Sequence, residues 1–453
     1  MFGMERRFIA LLVGIYLFVK GTADSILVLA ALPLYQQKYH LSSDHFQKLY
    51  SIVLVPWSMK CLFACGIDSV RGKALVLAAA SALGAVACGV LASIPPVETV
   101  IWMYLCASTA AMMVDSTAEG KYSQEVKLNN GSNSVTPFVW GLVSIGSIAA
   151  ACVVGPFADS GLFEGIYAAA AVCFGQLLVP TLLIKGSVPP DRAKTSPSRA
   201  EWQTAVAVSG SGLFCGLMVA TAPPYLATLG SLYCVAIASY VITCWYGNSE
   251  LTRGMLFVFL FELFNIQIPG PTDFWWTSPC PGLPNLDYTT YVTISAVVGG
   301  VSSLAVCAVY MLWIQDMPLA TQFVVAGGSR LLPALTELVI SRRFNLDVGI
   351  SDKTAFLVAG SALGPAAVTL TIMPIAQLAT KLAAPGLETV SFSMVAASAN
   401  LGKAISLMVG LMITNWFEVD STGCQFDNYP ALLFFCNILI PLGGVVLSRS
   451  MIY

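Results

Sequence analysis

Between residues 185 and 201 the chain reads KGSVPPDRAKTSPSRAE, a stretch holding Pro189, Pro190, Asp191, Arg192, Lys194, Pro197 and Arg199. It is the longest hydrophilic connection in an otherwise apolar chain, and it marks the natural division between two halves. Upstream of it, apolar runs near the roughly 20 residues needed to cross a bilayer fall at 8–32, 46–67, 74–94, 98–118, 135–158 and 162–184. Downstream, two shorter segments at 204–222 and 225–246 meet at Pro223-Pro224. Six more follow at 252–269, 288–314, 319–340, 353–380, 386–415 and 429–449. The fourteen segments are arranged as six, two and six.

Composition points the same way. Of 453 residues, 57% are hydrophobic and 10% are charged, and mean hydropathy is +0.77. Soluble domains carry about 25% Asp, Glu, Lys and Arg, so this chain cannot clothe a soluble globule of its size. A formal net charge of −2 removes the basic surface that a nucleic-acid partner requires. The thirteen cysteines lie mostly within apolar runs (Cys88, Cys106, Cys152, Cys173, Cys215) and show no metal-ligand spacing, as expected of small hydrophobes in helix packing. His40 and His45 share one loop, and no nucleophile-and-base spacing or nucleotide loop appears. An enzyme, a metal site and a cofactor are therefore not expected. The expected partners are a lipid bilayer and a small-molecule solute; protein partners are not legible.

The expected fold is an all-α polytopic membrane protein of the major-facilitator type. In that design two six-helix bundles rock about a cavity at mid-membrane. The division runs 1–184 for the first bundle, 185–203 for a cytoplasmic linker, 204–251 for an extra helix pair and 252–453 for the second bundle, giving 12–14 spans. Placing the N-terminus inside puts thirteen Lys and Arg, from Arg6 to Arg449, on the cytoplasmic side. Five (Lys38, Lys48, Arg342, Arg343, Lys353) fall outside. That asymmetry predicts both termini in the cytoplasm, with the plasma membrane favoured over an organelle.

Charges at mid-membrane cost at least about 2.5–3.5 kcal/mol on insertion scales, so they persist where they are paired, hydrated or useful. Lys20 and Asp24 are four apart and share a helix face. They read either as a self-neutralising pair or as a pair facing a central cavity. Lys60 follows Pro56-Trp57-Ser58-Met59, where Trp57 offers a platform for a planar ligand beside a cation. The alternative there is a kink with Lys60 snorkelling to the inner surface. Asp115 and Glu119 fall late in the fourth span. Arg330 and Glu337, seven apart on one face, suggest a structural or gating ion pair. Lys403, near Asn400 and Gly402, is a lone mid-span cation, with Glu262 its expected cross-bundle partner. The loop Gly66–Lys73 places Asp68 and Arg71 where they would latch neighbouring helix ends or simply form a solvated turn.

These residues resemble the folate–biopterin transporters of the major facilitator superfamily, especially their protozoan branch. The likeness runs through Pro56-Trp57-Ser58-Met59-Lys60, Val114 to Tyr122, Ile268 to Thr277, and Asp287 to Tyr291. It continues at Pro385-Gly386-Leu387-Glu388-Thr389 through Asn400-Leu401-Gly402, and at Cys424 to Pro430. The turn Gly66–Lys73 departs from the family, being shorter and poorer in Arg and Pro, and marks a divergent member. The resemblance implies secondary active transport of a folate- or pterin-like solute by alternating access, with proton coupling. Some protozoan relatives carry S-adenosylmethionine instead. A transporter-like structural subunit that carries nothing is the reading from a different class.

On that resemblance Lys20, Trp57, Lys60, Asn400 and Lys403 are expected to bind substrate. Asp24, Asp115 and Glu262 are expected to carry the coupled proton, and Asp68, Arg71, Arg330 and Glu337 to gate. Cys280 and Cys424 fall in the family's outer loops, which implies a disulfide between them on an oxidising face.

Overall fold

The computed structural model describes residues 5–69, 72–128, 135–183, 197–221, 250–383, 387–421 and 423–451, with the single residues 188, 237 and 240. These residues are helical throughout except for connections and one isolated bridge, Asp420 to Gln425. Eleven of the described helices are long and apolar enough to cross a membrane. In the N-terminal half they are α1 (Arg6–Lys38), α2 (Ser43–Ser69), α3 (Lys73–Leu91), α4 (Val97–Leu128), α5 (Val135–Asp159) and α6 (Phe163–Leu182). A further helix, α7 (Arg199–Thr221), follows the linker. The C-terminal half holds a broken helix, α8 (Glu250–Leu263) and α9 (Pro269–Thr277). Then come α10 (Thr289–Ile314), α11 (Leu319–Ser341), α12 (Asp352–Leu382), α13 (Glu388–Trp416) and α14 (Tyr429–Val446).

Four sequence expectations change. The first helix is longer than 8–32. The fourth runs ten residues past 118, to Leu128, because Asp115, Glu119 and Lys121 are buried. Hydropathy counts them as the end of a span, whereas paired inward charges let the helix continue. Lys121, one of the thirteen Lys and Arg that the topology places on the cytoplasmic side, is thus within the protein.

The segment expected at 252–269 is not one helix. Its first part ends at Leu263, five residues unwind, and a second helix begins at Pro269, whose missing N–H costs nothing in a first turn. The helix after the linker, α7, begins at Arg199, inside the expected linker 185–203. The expected segment 225–246 lies outside the described residues except for Ile237 and Tyr240.

Close helix approaches fix the frame. On α1 and α5, Gly21 and Gly146 let the backbones touch: a Cβ on Gly146 would lie 2.7 Å from the Gly21 Cα. This contact sits in a widened, π-helical stretch of α1, Gly14–Ala23, that carries Lys20. On α13, Gly410 passes the unwound segment so closely that a Cβ would lie 2.1 Å from the Gln267 carbonyl oxygen. The small residues of α13 therefore let it lie in the middle of the molecule, against α2, α4, α7 and α8.

The halves meet along α5 with α10 and along α2 with α13. Across the second seam lies α7, where Cys61 Sγ donates to the Ala205 carbonyl at 3.6 Å and Ser209 Oγ to that of Met59 at 3.4 Å.

Hydrogen bonds between the halves gather at the end that carries the loops after α9 and α13. There Tyr288 Oη donates to Gln36 Oε1 at 2.7 Å, and Gln47 Nε2 donates to the Leu407 carbonyl at 2.8 Å. Asp159, at the end of α5, accepts the backbone N–H groups of Tyr288 (3.1 Å) and Thr289 (2.8 Å), capping the first turn of α10 from the other half. Cys280 and Cys424 join the two loops by a disulfide, with Cα atoms 5.7 Å apart. We call this the disulfide end, and the opposite one the linker end.

Candidate functional site

A cavity of about 650 Å³ lies between the halves, within the range of small-molecule sites. Lys20, Asp24, Trp57, Lys60 and Asp115 line it from the N-terminal half, and Glu262, Arg330, Glu337, Asn400 and Lys403 from the C-terminal half. Ten of the twelve residues expected to bind, couple or gate therefore converge on one space. Of the other two, Asp68 lies in the last turn of α2.

The N-terminal wall is a chain of alternating charge. Asp24 Oδ2 lies 3.2 Å from Lys20 Nζ, one turn away on α1. Lys20 lies 3.9 Å from Asp115 Oδ2 on α4, and the same oxygen lies 2.9 Å from Lys60 Nζ on α2. Lys60 also donates to Glu119 Oε2, one turn beyond Asp115. Three carboxylates and two ammonium groups make the chain. Lys60 is 2% exposed, so it does not snorkel. Its two acceptors hold it in, which an isolated buried ammonium would not survive.

Glu119 is the functional candidate that sequence reasoning left without a role. The available signal was its spacing of four from Asp115, since a cation reaching one reaches the other.

Trp57 differs from expectation in one respect. Lys20 Nζ sits 3.4 Å from its ring centroid, so one face of the expected platform is already covered by a cation. The Trp57 carbonyl accepts from Asn400 Nδ2 at 3.3 Å, tying α2 to α13 at mid-depth.

In the C-terminal wall the expected Arg330–Glu337 pair does not form. Arg330 Nη2 instead bonds Glu262 Oε1 at 2.7 Å, its Nε donates to Thr371 Oγ1 at 3.0 Å, and its guanidinium lies 4.8 Å from the Phe261 ring centroid. Two positions on one helix share a face, but α8 brings a carboxylate closer than seven residues along α11 can. Glu262 is consequently not the partner of Lys403, and the two belong to the same half. Among the described residues no carboxylate comes within ion-pair distance of Lys403. Glu337 instead accepts from Tyr429 Oη at 3.1 Å.

One ion pair is described at the expected latch. Asp68 pairs with Lys73 at 2.8 Å, within the N-terminal half. Arg71 lies outside the described residues.

Two helical halves around a charged mid-depth cavity define a multi-pass membrane protein of the major-facilitator type. The chain belongs to the BT1 family, whose model matches residues 20–451.

It is 30% identical over 152 residues to the "Probable folate-biopterin transporter 4" of Arabidopsis thaliana, covering 33% of this chain and 30% of that protein. To the "Folate-biopterin transporter" of Synechocystis it is 29% identical over 150 residues, covering 32% and 29%. The matched region thus spans about three-tenths of each relative. Among solved structures it resembles a POT family transporter in complex with 5-aminolevulinic acid (TM-score 0.67, 15% identity, 98% and 96% of the two chains). It also resembles the nucleoside transporter NupG (TM-score 0.63, 13% identity, 97% and 98%). At these identities the structural likeness shows the fold.

Proposed function

We propose that the protein is a secondary active transporter of a folate- or pterin-like organic solute, working by alternating access and coupled to protons. The observation that carries this reading is the mid-depth cavity, lined by both halves and holding, in Lys403, a cation with no counter-ion among the described residues. A half-buried lysine lining such a cavity without a carboxylate is costly unless an anion visits it, and the glutamate tail of a folate is such an anion. Asn400 and the open edge of Trp57 offer polar and apolar contacts beside it. The names of the two relatives support the same solute class.

Proton coupling fits the N-terminal chain. With all five groups ionised its charge is −1, and a buried net charge is unfavourable. One proton on a terminal carboxylate, Asp24 or Glu119, leaves two neutral ion pairs. Lys20 and Lys60, expected to bind substrate, then belong to the coupling machinery because their charges are already matched. Alternating access would part the bonds at the disulfide end while the linker end closes. In this reading the disulfide end faces outward and both termini the cytoplasm, in the plasma membrane.

The test is uptake by proteoliposomes, with folic acid, biopterin and S-adenosylmethionine side by side, with and without an inward proton gradient. Gradient-driven accumulation of folic acid or biopterin supports the reading. Uptake of S-adenosylmethionine alone would move the substrate to a cation, and movement of none would leave a structural subunit.

A further inference from the structure

The charges lining the cavity divide in a way that neither helix periodicity nor the relatives show. Lys20, Asp24, Asp115, Lys60 and Glu119 form one connected chain of ion pairs, and Arg330 pairs with Glu262. What remains is Lys403 and Glu337, one of each sign, both in the C-terminal half, each without an ion-pair partner among the described residues. Building on the transport of folate-like solutes proposed above, we propose that Glu337 reads the hydrogen-bond-donor edge of the solute while Lys403 holds its anionic group. The cavity then selects molecules that carry an anion at one end and adjacent N–H donors at the other.

Three observations support the role of Glu337. Its carboxylate lines the cavity, and Tyr429 Oη donates to its Oε1 at 3.1 Å. The groups facing Glu337 from neighbouring helices are Tyr429 on α14, Tyr291 on α10, and Trp276 and Asp273 on α9. None is a cation, and Asp273 is itself engaged by Tyr291 Oη at 2.7 Å.

A second acceptor lies on α8, beside Arg330. Glu262 is fully buried, and its Oε2 has no donor among the described residues although the residue lines the cavity. A buried carboxylate oxygen without a donor is costly, and a ligand N–H would relieve it.

The chemistry follows from shape. A carboxylate accepts two parallel N–H bonds, as it does from a guanidinium. The 2-amino-4-oxopyrimidine edge of a pterin presents an amino N–H and a ring N–H side by side in the same spacing. Seven residues of α11 separate Arg330 from Glu337, about 10 Å of axial rise toward the disulfide end. The donor edge would therefore lie toward that end, and the anionic group at the depth of Lys403.

The experiment is equilibrium binding of tritiated folic acid to the purified protein in lipid nanodiscs, competed by folic acid, biopterin and p-aminobenzoylglutamate. Biopterin carries the donor edge without a carboxylate, and p-aminobenzoylglutamate the tail without the edge. Glu337→Gln should weaken folic acid and biopterin by about tenfold or more and leave p-aminobenzoylglutamate nearly unchanged. Lys403→Met should weaken folic acid and p-aminobenzoylglutamate by a similar factor and spare biopterin. Glu337→Asp, which keeps the carboxylate, should recover part of the loss and shows that the effect is not one of folding. If the wild type binds these ligands but Glu337→Gln weakens all three equally or none, the assignment of Glu337 is overturned while transport stands. If the wild type binds none of them, both proposals fall together.

Discussion

Lys60 on α2 reaches across to α4 and places its Nζ 2.9 Å from Asp115 Oδ2. The contact links the helix that seams with α13 to the helix that carries two of the cavity's carboxylates. Because Lys20 approaches the same oxygen at 3.9 Å, Asp115 is the hinge of the charge chain.

Lys60→Met should be the most damaging single change in the N-terminal wall. It leaves Asp115 and Glu119 buried without their nearest cation, a loss of about 3–5 kcal/mol. Thermal unfolding of the purified protein should show it. The double variant Lys60→Met with Glu119→Gln removes one of the stranded charges and should regain part of the stability. A single variant as stable as the wild type would mean that the chain carries no structural load.

Glu119→Gln alone tests coupling. It removes the odd negative charge, so the remaining pairs are neutral without a proton. Exchange of solute across the membrane at equal pH should persist, while accumulation driven by a proton gradient should fall by about tenfold. Equal loss of both activities would assign Glu119 to folding or substrate contact instead.

The two loops at the disulfide end should be covalently joined in the mature protein. Peptide mapping without reductant should recover Cys280 linked to Cys424, and free thiols at both would contradict the pairing. Cys280→Ser should lower stability by about 2–4 kcal/mol, since the bond closes a loop of 144 residues.

Asp159 joins the halves by capping α10, so Asp159→Ala should loosen the disulfide end. With other reactive thiols removed, a cysteine reporter at Val28, which lines the cavity, should react faster with an impermeant maleimide added from that side. An unchanged rate would show that Asp159 is not part of the closure.

Much of the site was written in the residues themselves. Lys20 and Asp24 lie one turn apart, and a helix makes their meeting a matter of geometry. Lys403 was recognisable as unmatched because its own helix offers no acid within a turn. Arg330 shows where such logic ends. Its seven-residue spacing to Glu337 is real and both share a face, yet its bond goes to Glu262 on another helix. The break at Phe264–Ile268 was equally hidden, because an apolar count passes over a prolyl restart that satisfies the local backbone through its neighbours.

The sequence by itself determined that the chain is a helical membrane protein in two halves, because apolar run length and the polar break at Lys185–Glu201 are local properties. It also picked out the charges that line the cavity. Only the tertiary structure decided which of those charges cancel and which stay open, since each acid sees cations on several helices and the nearest wins. That competition leaves Lys403 and Glu337 facing one cavity, and it depends on how closely α8, α11 and α13 pack, a property of no single segment.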